Sequence, residues 1–150
     1  MSPRVSGGSG SGWLSAGGWL SLLASGLHLG CIAGGPDWYR FFGAGEGIAQ
    51  AAERGEWTPA LLTVAIAAIL AIWAAYALAG AGRIRRLPLL RTGLVTISAV
   101  YLLRGLAVLQ PQLWRPDLSD TFKLWSSLIV LGYGLAYAIG TWRAWPRLRP

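Results

Sequence analysis

The sequence predicts an all-α polytopic membrane protein: a four-transmembrane-helix bundle with a short interfacial helix in the first outer loop. Three observations predict it. Between Trp57 and Arg83 lie twenty-five residues without a charge, TPALLTVAIAAILAIWAAYALAGAG. At about 1.5 Å per residue, a helix of that length crosses the roughly 30 Å hydrocarbon core of a bilayer. Three further apolar segments are long enough to do the same. The composition agrees, being 54% hydrophobic and 13% charged with a mean hydropathy of +0.48; a soluble domain carries roughly a quarter of its residues as charges. With four spans assigned, no room remains for a soluble domain, and residues 13–145 form one unit.

The elements follow in order. Residues 1–12, rich in Gly and Ser, predict a flexible lead. The first span runs from Trp13 to Ala33. A signal peptide is its rival reading, since Leu27-His28-Leu29-Gly30-Cys31 hints at a lipoprotein cleavage box. His28 stands where such a box needs an aliphatic residue, and Arg4 is the one basic residue upstream. The first outer loop then reads GGPDWYRFFGAGEGIAQAAERGEW, in which GIAQAAERG predicts a short surface helix. The second span covers Thr58 to Ala81, with Pro59 suited to a helix first turn. The third covers Leu87 to Leu109 and is closed by Pro111. The fourth covers Phe122 to Trp142, with Pro146 opening a tail over 146–150.

Charge placement sets the orientation. Arg4, Arg83, Arg85, Arg86, Arg91, Arg143, Arg147 and Arg149 fall on one side of an even number of spans. Every acidic residue, Asp37, Glu46, Glu53, Glu56, Asp117 and Asp120, falls on the other with Arg40, Arg54, Arg115 and Lys123. The positive-inside rule makes the first side cytoplasmic, with both termini on it. The net charge of +7 is then explained by orientation and by contact with anionic lipid, not by nucleic acid. Cys31 is the single cysteine, so an intrachain disulfide and a CxxC redox centre are both excluded.

Lipid tails are as apolar as leucine, so the helices must associate by close packing and polar contacts. Small residues at four-residue spacing offer seams: Ala67, Ala71, Ala75 and Ala79; Gly132, Ala136 and Gly140; Gly26 and Gly30. They serve packing within the bundle or a dimer face. Most tryptophans lie near span ends, as an aromatic belt does, while Trp73 and Tyr76 lie deeper.

Arg104 is the one ionic residue well inside a span, which marks it as a functional candidate. Its rival role is to snorkel to the phosphates. His28, the single histidine, lies at a matching depth in the first span, each about 7 Å short of the outer end by helix rise. Tyr101 precedes Arg104 by one turn. Glu46, following Phe41 and Phe42, is a candidate counter-ion for Arg104 if those aromatics carry it into the membrane; Arg40 and Arg54 compete for it. His28, Glu46, Tyr101 and Arg104 therefore make up a predicted outer-leaflet pocket. GAGEG lacks the preceding strand of a dinucleotide site. Walker, zinc, EF-hand and GxSxG signatures are missing, so no cofactor and no metal is expected.

The ordered set FFGAGE, YALAGAG, LPLLR and YLLRG resembles small bacterial four-span membrane proteins of no established activity, over roughly residues 28 to 142. The resemblance implies the architecture and a bacterial inner membrane, and no mechanism. The leading expectation is a non-catalytic membrane protein that binds a lipid or amphipathic ligand, or docks a partner membrane protein or a second copy of itself. A small-solute or proton-coupled transporter acting as an oligomer is the second reading. An intramembrane enzyme using His28 as acid/base and Arg104 as an oxyanion clamp is the third.

Overall fold

The computed structural model describes residues 9–110, 113 and 116–149, and the regular structure among them is helical throughout. The helices are α1 (Ser9–Phe41), α2 (Glu46–Glu53), α3 (Thr58–Gly80), α4 (Leu90–Leu106) and α5 (Asp120–Ala144). A 3-10 turn, Ala107–Leu109, extends α4, and another, Trp145–Leu148, extends α5. Four of the helices are long and apolar enough to cross a membrane. The chain is a multi-pass membrane protein built as a four-helix bundle.

The boundaries depart from the sequence expectation in instructive places. Residues 1–8 of the expected flexible lead lie outside the described residues, but Ser9–Gly12 belong to α1. Their helix is held by packing: a Cβ on Gly10 would sit 2.7 Å from the Ala144 nitrogen, so this glycine lets α1 lie directly on the end of α5. At its other end α1 runs past Ala33, but not straight. Gly35 takes φ 69° and ψ −156°, and Pro36 follows. Proline disfavours helical geometry in the residue before it and suits the first turn of a helix. The chain therefore breaks at Gly35 and restarts as a short helix to Phe41. The third transmembrane helix starts at Leu90, not Leu87, because Pro88 and Leu89 (φ 52°) form its entry turn. The fourth starts at Asp120, where the Ser119 hydroxyl accepts from the Phe122 N–H at 3.2 Å.

The spans run up, down, up, down around a square. α1 packs most extensively on α3 and then on α5, α4 packs on α5, and a thinner α3–α4 contact closes the ring. The register is visible at Leu14, near the start of α1, which lies against Gly80 at the end of α3 and Gly140 near the end of α5. The core contains Leu14, Leu94, Ile97, Tyr101, Tyr137 and Ala144. Leu61, Ile66, Ile69 and Ile72 on α3, and Leu128, Ile129 and Leu135 on α5, face outward. A water-facing surface cannot carry that much apolar area, whereas a lipid-facing one requires it. α2 caps one end as the expected short helix, packing on α1 and α3 with its own Ala49 buried in a cluster with Cys31 and Tyr39.

The predicted seams are used in part. Ala67, Ala79 and Ala136 are buried, but Gly26 and Gly132 face open space. α4 and α5 instead approach closely at Gly105, where a Cβ would meet the Leu131 Cα at 2.7 Å.

Candidate functional site

The four predicted site residues occupy four separate environments. Tyr101 turns into the core and is 6% exposed. Its ring stands edge-on to Trp73 at 4.9 Å and packs on Tyr133 at 5.6 Å and Tyr137 at 5.3 Å. Its hydroxyl lies 2.9 Å from Ser21 Oγ. Arg104, one turn further along α4, is on the exposed side of the same helix.

By helix rise, His28 lies about 10 Å beyond Ser21 along α1 and Arg104 about 4.5 Å beyond Tyr101 along α4. His28 is half-buried and bonds its own helix, Nδ1 to the Ala24 carbonyl at 2.8 Å. A carbonyl only accepts, so the proton is on Nδ1.

Glu46 is held by Arg40. The guanidinium reaches both carboxylate oxygens, Nε to Oε2 at 2.9 Å and Nη2 to Oε1 at 2.8 Å. Nη2 also donates to Glu53 at 2.7 Å, and Nη1 to Asp37 at 3.4 Å. The Arg40 guanidinium holds the Glu46 carboxyl below the usual carboxylate range. The expectation that Phe41 and Phe42 carry Glu46 down to Arg104 is thus replaced by its stated rival. The physical reason is reach: Arg40 lies in the last turn of α1, six residues before Glu46 starts α2. Asp117 accepts from the Glu46 backbone N–H at 3.2 Å and ties the α4–α5 connection to the same cluster.

The middle of the bundle holds a polar relay that sequence reading missed. Ser21 Oγ lies 2.9 Å from both the Tyr101 and Tyr137 hydroxyls, and Tyr137 donates to the Trp73 carbonyl at 3.0 Å. Each hydroxyl has one proton, and a carbonyl has none. Tyr137 gives its proton to Trp73, so Ser21 must donate to Tyr137 and Tyr101 to Ser21. One directed chain then joins α4, α1, α5 and α3. The signal present in the sequence was a set of tyrosines, Tyr101, Tyr133 and Tyr137, at mid-span; Ser21, the shared partner of Tyr101 and Tyr137, carried none.

The second end of the bundle is arginine-rich. Arg86 donates to the Arg149 carbonyl at 2.8 Å and to the Arg147 carbonyl. Arg91 donates from Nη2 to the Trp145 carbonyl at 2.7 Å, and its guanidinium carbon stands 4.3 Å over the Trp145 ring. Arg83 donates to Ser15 at 3.3 Å. Arg86 and Arg91 clamp carbonyls of the turn and tail that follow α5, and Arg83 ties the same end to α1. They do so without carboxylates: among the described residues, every acidic side chain lies at the opposite end. Two grooves open beside α4 here. One, of about 410 Å³, is lined by Arg91, Thr92, Val95, Thr96 and Trp145. The other, of about 290 Å³, lies toward α3 with Trp73, Tyr76 and Ile97 in its wall and shares Thr92 and Thr96.

No family model, characterised protein or solved structure matches this chain. Among the described residues no group of three His, Cys, Asp or Glu side chains stands close enough to hold a metal ion.

Proposed function

We propose that this chain is a non-catalytic multi-pass protein of a bacterial inner membrane, with both termini cytoplasmic, whose arginine-rich end binds anionic lipid headgroups. One observation carries the reading. Seven described arginines, Arg83, Arg85, Arg86, Arg91, Arg143, Arg147 and Arg149, gather at one end with no acidic side chain among the described residues beside them, and the hydrogen bonds of Arg83, Arg86 and Arg91 run to carbonyls and a hydroxyl. Such bonds fix the side chains and leave their charge uncompensated. Each cation at a membrane surface attracts anionic lipid by about 1 kcal/mol. The sequence resemblance to small bacterial four-span proteins and the positive-inside rule support the placement.

The alternatives gain less support. His28, Glu46, Tyr101 and Arg104 lie in separate environments, so neither the enzyme reading nor the outer-leaflet pocket has an assembled site. The Ser21 relay contains hydroxyls alone, which do not exchange protons readily near neutral pH, so it offers little to proton-coupled transport. Native mass spectrometry of the detergent-purified protein tests the proposal. Co-purified phosphatidylglycerol or cardiolipin in excess over its share of the membrane is expected, lost as salt is raised. Retained lipid that mirrors bulk composition and ignores salt would sink it. Arg104→Ala, run in parallel, is expected to keep that lipid; losing it would return the ligand to the outer leaflet.

A further inference from the structure

We infer that the ridge of α4 at Thr92 and Thr96 is a built site for one anionic phospholipid, with the phosphate at Arg91 and an acyl chain in the groove on each side. The inference rests on the lipid-binding reading above and gives it a place and a stoichiometry.

Three features converge. The first is shape. Thr92 and Thr96 are exposed, one helical turn apart, and line both grooves, one toward α5 and one toward α3. A hydroxyl ridge with an apolar channel on either flank matches a molecule with one polar backbone and two tails. Val95 lines one channel and Ile72 and Ile97 the other. The second is depth. Arg91 is in the first turn of α4, and Thr96 lies about 7.5 Å further into the bundle by helix rise, comparable with the headgroup layer of one leaflet. Phosphate beside Arg91 therefore leaves the ester region beside Thr96 and the tails below it.

The third is the state of Arg91. Its guanidinium is stacked on Trp145 and bonded to that residue's carbonyl, so its orientation is fixed before any ligand arrives. Nη2 makes that bond, while Nε is closed off from solvent without a partner. A buried donor without an acceptor is costly, and a phosphate oxygen brought against it relieves that cost. Arg86 differs, because both its terminal nitrogens bond backbone carbonyls. Among the described arginines of this end, Arg91 is the one that combines a fixed guanidinium with the wall of a groove. Planar guanidinium groups suit phosphate oxygens, and pockets of this kind between transmembrane helices take anionic headgroups.

The test places the full-length protein in phosphatidylcholine nanodiscs with and without phosphatidylglycerol. Bound lipid is read by native mass spectrometry, and melting temperature is read alongside. Wild type is expected to retain one phosphatidylglycerol preferentially and to melt higher with it present. Arg91→Gln is expected to weaken that binding by about tenfold, the scale of one lost charge-assisted contact, and to erase the lipid-dependent shift in melting temperature. Arg85→Gln and Arg143→Gln remove only a share of the long-range surface attraction, so they should weaken binding less than Arg91→Gln and keep the lipid-dependent shift in melting temperature. If they weaken binding as much as Arg91→Gln, the attraction is diffuse and the site is wrong while the lipid-binding reading stands. If wild type shows no preference for phosphatidylglycerol, both fail. Glycerol phosphate competing as well as the intact lipid would show that the grooves add nothing and would overturn the phospholipid assignment. Should Arg91→Gln fail to fold, the double variant Thr92→Val, Thr96→Val keeps the Arg91–Trp145 clamp. Weakened binding in it supports the site, and wild-type binding overturns it.

Discussion

Tyr137 is fully buried, and its single hydroxyl proton goes to the Trp73 carbonyl. Ser21 must then donate to Tyr137 and accept from Tyr101, so the two tyrosines are not equivalent. Removing the Tyr101 hydroxyl leaves Ser21 short of a donor, which a hydroxyl oxygen tolerates. Removing the Tyr137 hydroxyl leaves the Ser21 proton without its acceptor inside an apolar bundle, a worse fault. Tyr137→Phe is therefore expected to destabilise the bundle by about 1 kcal/mol, near the middle of the range for interhelical hydrogen bonds in membranes, and Tyr101→Phe by less. Reversible unfolding in mixed detergent measures both, and equal losses, or a larger loss at Tyr101, would refute the direction of the relay. Tyr101 was legible as a candidate because a tyrosine one turn from an intramembrane arginine attracts notice. Its partner was not. The two side chains are about 60° apart around the helix, enough for one to enter the core while the other stays outside, and sequence spacing alone does not say which.

Among the helices, what was legible followed from composition over a long window. A run without charge from Thr58 to Gly82 has one stable solution in a bilayer, and α3 fills nearly all of it. The short helix after Gly45 was legible from its alanines and its charged ends. The start of α1 was not, because glycine and serine read as flexible until a neighbouring helix lies on them, as α5 does on Gly10. Close approach governs α4 and α5 likewise. Gly105→Ala would drive a Cβ into the Leu131 backbone, so a loss of about 1–3 kcal/mol is expected. Gly132→Ala meets open space, and its gain in helix propensity predicts an unchanged or slightly higher stability. The same unfolding assay separates them, and a neutral Gly105→Ala would mean that the two helices do not touch there. The α2 cap carries a pH dependence. The Glu46 carboxyl is held low by Arg40 in the folded protein, so its contribution is complete above the unfolded value, about 4.3. It is lost as pH falls through the lower folded value. Glu53 and Asp37 share Arg40, and Asp117 faces the Glu46 N–H. Hydrogen exchange in residues 46–53 is expected to rise relative to its intrinsic rate as the solution is acidified through that range. Glu46→Gln should raise it already at neutral pH and flatten the response; an unaltered profile would deny Arg40 its role in holding the cap.

Taken whole, the molecule is an electrical dipole threaded through an apolar slab. Among the described residues, one end holds seven arginines and no acidic side chain, and the other holds the acidic residues with Arg40, Arg54 and Lys123. Carboxylates at the second end are matched locally: Arg40 gathers three, Arg54 bonds Glu56 at 2.6 Å and Lys123 bonds Asp120 at 3.1 Å. Among the described residues that end is net acidic, with six carboxylates against three cations, and it ties itself together. The first end uses its cations on backbone carbonyls, and its charge is directed outward. Insertion reads this asymmetry, since short basic connections are retained on the cytoplasmic side. The arginine-rich end should accordingly face the cytoplasm. The protein offers a clean measurement, because its single cysteine, Cys31, is buried beneath α2. With Cys31 replaced by serine, a cysteine introduced at Gly55 is expected to react with a membrane-impermeant maleimide in intact cells whose outer membrane has been opened. One at Arg149 is expected to react only after the inner membrane is permeabilised. Labelling of both in intact cells would mean mixed orientation. Labelling of Arg149→Cys alone would invert the molecule and put the arginines, and the lipid they attract, on the opposite leaflet.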